Sequence, residues 1–343
     1  MKSLLFILVT TSIAVTTFAQ SSDSATYYYN RGEVEMKARR FREAEKNFNK
    51  AFQFDPKNLN NLIQLGTSLV EQRRYTEARE KFLLAEAIDS NNPQVIENLA
   101  TLSFNARKWE EAIRYGQKMK QYKIGSGANF IIARSYFEME NYGEAIKHFQ
   151  FAFKEDPKNA QIPYITGHCF LNMHNYRRAA GCFDEAIALD SSNSTWMYEA
   201  GLAWYAVPDD KKALYWIEKA GEKGYKKTND YLENLASAYL NVGQFEKGIV
   251  ILKEILIKKP QDPELLYSIA EAHYKSKKYQ EAIDYWDQAL TINNKNANAL
   301  YMIGMAYQKK GEVEKGRQLC DKAIQMDPSL TKLKEEKKLP GGL

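Results

Sequence analysis

Ala44, Ala78, Ala112, Ala145, Ala179, Ala213, Gly248, Ala282 and Gly316 follow one another at steps of 34, 34, 33, 34, 34, 35, 34 and 34 residues. A second small-residue column lies twelve positions before each: Gly32, Gly66, Ala100, Ala133, Gly167, Gly201, Ala236, Ala270 and Gly304. Such a period rules out one globular core and requires a stack of similar units, each burying its apolar side on its neighbours. Both columns are small because two helices approach closely there, where a larger side chain costs about 1–3 kcal/mol of strain.

Within each unit the apolar residues fall at helical spacing, as in Leu62, Leu65, Gly66 and Leu69. Asn58, Asn92, Asn159, Asn193 and Asn296 each end a unit where the next helix needs an N-cap. Asp55-Pro56, Asp156-Pro157 and Asp327-Pro328 stop the helix before them. The small columns, with Phe48, Phe82, Phe149 and Trp286 four residues after the first and prolines beyond, resemble the tetratricopeptide-repeat (TPR) pattern W-x2-L-G-x2-Y…A-x3-F…P. The resemblance implies an all-α, right-handed α-solenoid of about nine helix–turn–helix repeats over residues 20–330. The repeats lie near 25–58, 59–92, 93–125, 126–159, 160–193, 194–228, 229–262, 263–296 and 297–330. The polar segment Thr331–Leu339 reads as a short C-terminal cap helix, with a tail to residue 343.

Three places depart from the pattern. Repeat three has Gly116 where an aromatic is expected and runs into Lys123–Gly127, a junction that its glycines leave loose. Repeat six carries Val207-Pro208-Asp209-Asp210 in its turn and one extra residue near Gly221–Gly224, which predicts a changed stacking angle. Gly248 and Gly316 replace alanine and weaken their helices locally.

Residues 1–19 read as a secretory signal: Lys2, an apolar run from Leu4 to Val15, and a Thr17-Phe18-Ala19 cleavage site. The expectation is export to the periplasm or outside the cell, with no membrane span left after cleavage. The 48 Lys+Arg exceed the 43 Asp+Glu too little to predict nucleic-acid binding. Cys169, Cys182 and Cys320 are too few for a disulfide scaffold; Cys169 and Cys182 share a repeat and could pair, or all three could be small core residues. His168, Cys169, His174 and Cys182 match no structural zinc spacing, and no enzyme motif stands out, so neither metal, cofactor nor catalysis is expected.

In such an array the first helices line the inner, concave surface. The positions that point inward by resemblance to the family hold Tyr29, Asn30, Asn98, Phe130, Arg134, Phe137, Tyr164, His168, Tyr198, Tyr205, Tyr267, Glu271, Tyr274 and Tyr301. Acids there, including Glu233 and Glu264, outnumber bases, which argues against the carboxylate clamp of some TPR domains. Asn30, Gln64 and Asn98 share one slot in successive repeats and could bond an extended peptide backbone. The rings suit a binding surface; their other use is to fill gaps between adjacent first helices. A second feature is basic: Arg39, Arg40, Arg73, Arg74, Arg107 and Lys108 fall in three equivalent turns and would form one edge, either a solvated turn or a surface for an acidic partner or lipid headgroups.

The expected function is therefore a non-enzymatic interaction scaffold of the bacterial cell envelope, holding a peptide or protein segment in its groove. The alternative is a structural or assembly subunit of an envelope secretion, motility or outer-membrane biogenesis complex, joined to the envelope through other proteins.

Overall fold

Each 34-residue unit folds as two antiparallel helices. The computed structural model describes residues 23–332, so the leader and nearly all of the expected cap helix and tail lie outside the described residues. The helices are α1 (23–37), α2 (Phe41–Phe54), α3 (Leu59–Glu71), α4 (Tyr75–Ile88), α5 (Pro93–Asn105), α6 (Trp109–Tyr122), α7 (Ala128–Glu138), α8 (Tyr142–Glu155) and α9 (Gln161–Asn172). They continue as α10 (Tyr176–Leu189), α11 (Ser194–Ala206), α12 (Asp210–Glu222), α13 (Asn229–Asn241), α14 (Phe245–Lys258), α15 (Pro263–Lys275), α16 (Tyr279–Ile292), α17 (Ala297–Lys310) and α18 (Val313–Met326), followed by a 3-10 turn, Pro328–Leu330. No strand occurs among the described residues, and the fold is an all-α helical-repeat solenoid.

The chain divides into two compact units, one ending at Met173 and the other beginning at His174. The first unit stacks Phe48, Leu62, Leu65, Phe82 and Leu99 in one continuous core, with Phe149, Ile162 and Cys169 in a second cluster. In the second unit Trp286 is fully buried among Ala270, Ile283 and Ile303. Each fully buried large apolar side chain contributes about 1.5–3 kcal/mol relative to exposure.

The small columns are where the two helices of a repeat touch. A Cβ on Gly66 would stand 2.9 Å from the Phe82 ring, and one on Gly304 2.7 Å from both the Cys320 sulfur and the Gly316 carbonyl oxygen. Gly316 faces that same contact from the other helix, and Gly248 would meet Leu240 at 2.6 Å. These two glycines mark close approach rather than weak helix. Gly116 is explained likewise: Ile132, from the next repeat, fills the space the expected aromatic would take, while Tyr115 beside it is the buried ring.

Six of the first helices start on side-chain caps. Asn58, Asn92, Asn193 and Asn296 accept from backbone N–H groups of the following turn, and Thr228 and Asp262 serve repeats seven and eight. Asn159 is displaced by one: α9 begins at Gln161 with Ala160 as N-cap, although the Asn159 side chain still accepts from the Gln161 N–H.

The turn between paired helices is also uniform. The N–H groups of Arg40, Arg74, Lys108, Asn141, Gln244, Lys278 and Glu312 each reach back to the carbonyl five residues earlier, closing a Schellman turn. The residue before each is left-handed: Arg39 (φ 55°), Arg73 (61°), Arg107 (57°), Glu140 (59°), Gly243 (79°), Lys277 (64°) and Gly311 (96°). Repeat six puts Pro208 in this slot at φ 28°, far from what its ring prefers. Only glycine takes this conformation without strain. Arg73→Gly is expected to raise stability by up to about 1 kcal/mol, read from the urea midpoint; an unchanged or lower midpoint would contradict this account of the turn.

The Lys123–Gly127 junction is tied, not slack. Lys123 takes φ 55°, the Ile124 N–H bonds to the Met119 carbonyl, and the Ile124 side chain is buried in the first core. Just after the extra-residue segment of repeat six, Tyr225 stacks on Tyr198 at 4.4 Å, and Tyr231 of α13 donates to the Ile217 carbonyl at 3.1 Å.

Candidate functional site

The rings expected in the groove separate into three groups. Tyr198 and Tyr301 are buried, at 8 % and 4 % exposure, and belong to the core rather than to a binding surface. Tyr198 is closed off by Tyr225 and accepts a hydrogen bond from Asn234 at 2.7 Å.

A second group is half-buried against the aromatic of its own repeat. Tyr29 lies 5.9 Å from Phe48, Phe130 6.1 Å from Phe149, and Tyr267 and Tyr274 5.9 and 5.8 Å from Trp286. These rings pack on the second helix of their own repeat and remain partly exposed. Burial raises the hydroxyl pKa of Tyr29, Tyr267 and Tyr274, keeping them neutral donors.

The third group is also half-buried but meets other partners. On α7, Phe137 packs edge-on to Tyr142, and the Arg134 guanidinium sits over Phe137 at 5.8 Å while pairing with Glu138 at 3.0 Å. On α9, Tyr164 meets His168 edge-on at 4.7 Å. Asn30 is exposed, and the Asn98 amide donates to the Gln94 carbonyl of its own helix at 2.8 Å.

In the second unit, one face gathers a groove of about 400 Å³ from α11, α13, α14 and α15. Tyr205, 42 % exposed, stands at one end, and Glu233, Ser237 and Asn241 of α13 line it with Asp262, Glu264, Glu271 and Lys275. Lys259 reaches Glu233 at 3.5 Å, and Lys275 reaches Glu271 at 3.0 Å. Four carboxylates thus face two ammonium groups, leaving Asp262 and Glu264 without an ion pair among the described residues. Sequence reasoning reached Tyr205, Glu233, Glu264, Glu271 and Lys275. It missed Lys259 and Asp262, which lie in the connection before α15, outside the inward register.

The basic edge is partly spent on the chain itself. Arg40 is bound to Glu35, and Arg74 to Glu77 and, at 2.6 Å, to Glu45. Arg39, Arg73, Arg107 and Lys108 make no ion pair among the described residues.

Cys169, Cys182 and Cys320 are free thiols. Burial pushes the Cys182 pKa up to about 11, which holds it protonated. Among the described residues no three His, Cys, Asp or Glu side chains gather as a metal site, and no helix is long and apolar enough to cross a membrane.

Residues 25–58 match the family described as Tetratricopeptide repeat, as do 132–172 and 166–225; residues 208–286 and 250–323 match the one described as Anaphase-promoting complex, cyclosome, subunit 3. The chain belongs to the tetratricopeptide-repeat family. It is 24% identical over 281 residues to Superkiller protein 3 of Schizosaccharomyces pombe, covering 76% of this chain and 20% of that one. It is also 24% identical over 209 residues to a BBSome complex member BBS4 homolog of Drosophila melanogaster, covering 57% and 43%. The chain therefore spans less than half the length of these curated relatives. Among solved structures it is similar to YrrB, described as a TPR protein with an unusual peptide-binding site, at 24% identity and TM-score 0.45 over 56% of this chain and 98% of that one. It is similar too to Pseudomonas aeruginosa pilF, at 15% identity and TM-score 0.47 over 64% and 99%.

Proposed function

We propose that this chain is a non-catalytic scaffold that holds an extended segment of a partner protein against its first helices, with the α11–α15 groove as the principal seat. Proteins of this family are generally interaction scaffolds. The observation that carries the reading is the groove itself: an exposed tyrosine beside four carboxylates of which two lack a counter-charge. A segment carrying lysine or arginine would pair with Asp262 and Glu264 and lay its backbone past Ser237 and Asn241. Exposed tyrosine buries much area at little entropic cost, so Tyr205 is the expected anchor. The leader-like residues 1–19 support export, and with it a partner in the bacterial cell envelope.

Photo-crosslinking in the source cells tests this. A photo-reactive residue replaces Tyr205 in one variant and Tyr215, 50 % exposed on α12, in another. A discrete adduct is expected from position 205 and should fade when Glu264→Lys is added. An adduct from 215 alone, or one at 205 indifferent to Glu264→Lys, would overturn the assignment.

A further inference from the structure

At the turns of repeats one and two lies a second cleft, of about 730 Å³, unlike the groove in charge and in position. It is lined by Arg39, Arg40, Arg42, Arg74, Phe41 and Gln72, with Glu43 at its border. We propose that this cleft docks an acidic segment of a partner protein.

The four arginines differ in how they are held. Arg40 and Arg74 are fixed by the chain's own Glu35, Glu45 and Glu77. Gln72 adds a brace, donating to the Phe41 carbonyl at 3.3 Å and to Glu45 at 3.0 Å. Arg39 and Arg42 have no ion pair among the described residues, and Glu43 is taken by Lys46 at 2.7 Å. The result is a wall whose own charges are paired, with two unengaged guanidinium groups, Arg39 and Arg42, beside it. Guanidinium forks match carboxylates through two parallel hydrogen bonds, which lysine cannot do.

The form of the site favours a protein segment over a membrane surface. The same turn recurs one repeat on with Arg73 and again with Arg107 and Lys108, all exposed and without an ion pair among the described residues. An extended acidic chain seated between Arg39 and Arg42 would meet further cations along the same edge of the first unit.

Fluorescence anisotropy with labelled hexaglutamate and the full-length chain tests this. Binding is expected, weakening at least about tenfold in Arg39→Gln/Arg42→Gln and falling between about 50 and 300 mM salt. Arg39→Lys/Arg42→Lys should recover part of the affinity only. Neither arginine supports an internal ion pair, so the double variant should melt with the parent; if it does not, Arg42→Gln alone is the reading variant. Equal affinity in the variant, or no binding of hexaglutamate alongside cosedimentation with phosphatidylglycerol vesicles, would overturn the proposal, the latter in favour of a lipid surface.

Discussion

Gly316→Ala is expected to destabilise the last repeat by about 1–3 kcal/mol, although alanine is the better helix former. In an open helix the same exchange stabilises by up to about 1 kcal/mol, because glycine loses more backbone entropy on folding. At residue 316 the new methyl would be driven into the Gly304 carbonyl oxygen, and it would stand 2.6 Å from Gln308 Cγ and 2.8 Å from the Gln308 nitrogen. Two of these three are backbone atoms of α17, which cannot swing aside as a side-chain tip can, so α17 and α18 must separate. Gly181→Ala is the control. Gly181 is exposed on α10, and a Cβ there meets nothing within 4 Å, so this variant should gain stability. A repeat array need not unfold as one unit. The measurement is therefore amide exchange alongside urea melts: residues 297–330 should lose protection in Gly316→Ala while residues 41–122 keep theirs. A Gly316→Ala protein as protected as the parent would show that the two helices do not meet as described.

That contact was legible in the sequence because it is local: Gly304 and Gly316 are twelve residues apart, and every repeat restates the spacing. The asparagine caps are equally local, and four of the five start their helix where expected. What the period hides is anything contributed by a neighbouring repeat or an irregular segment. Gly116 looked like a defect because Ile132, its filler, belongs to the next repeat. Of the two partners of Arg74, Glu77 is local, but Glu45 lies 29 residues away in the preceding repeat. Tyr198 and Tyr205 both hold inward slots on α11, yet one is buried and the other open. Tyr225, in the non-repeating connection, stacks on Tyr198, and Tyr231 and Asn234 of α13 add to its cover. The sequence register tells which way a side chain leaves its helix, and not what a connection lays over it.

His273→Phe is expected to stabilise the second unit by about 1–3 kcal/mol, the cost of burying unpaired polar atoms, and to blunt its loss of stability in acid. His273 is 5 % exposed, stacks on Tyr285 at 5.5 Å and has neither ring nitrogen hydrogen-bonded. The reason lies in the register. On first helices the equivalent positions hold Trp204, which donates to Asp184 of the preceding repeat at 3.0 Å, and Tyr239, which donates to Glu218. For His273 the matching residue of the preceding repeat is Lys253, a cation. Burial lowers the imidazole pKa below its ordinary 6.5, and Lys253 pushes the same way; Lys278 adds to this, while Glu281 and Glu246 oppose it. A depressed folded pKa means that the unfolded chain binds the proton more readily. Stability is thus intact above about pH 7 and falls as the pH drops through the ordinary histidine range toward the folded value. Phenylalanine keeps the stack on Tyr285 and has no nitrogen to leave unpaired. Lys253→Glu is the complementary variant: it supplies the carboxylate that Trp204 and Tyr239 already have, raises the imidazole pKa and should lessen the acid loss without touching the ring. His148, also lowered by burial, keeps titrating in every variant, so the reading is the difference between variant and parent. Urea midpoints at pH 7.5 and 5.0 decide it: the gap between the two pH values should narrow in both variants, and an unchanged gap in His273→Phe would show that this histidine does not carry the acid response.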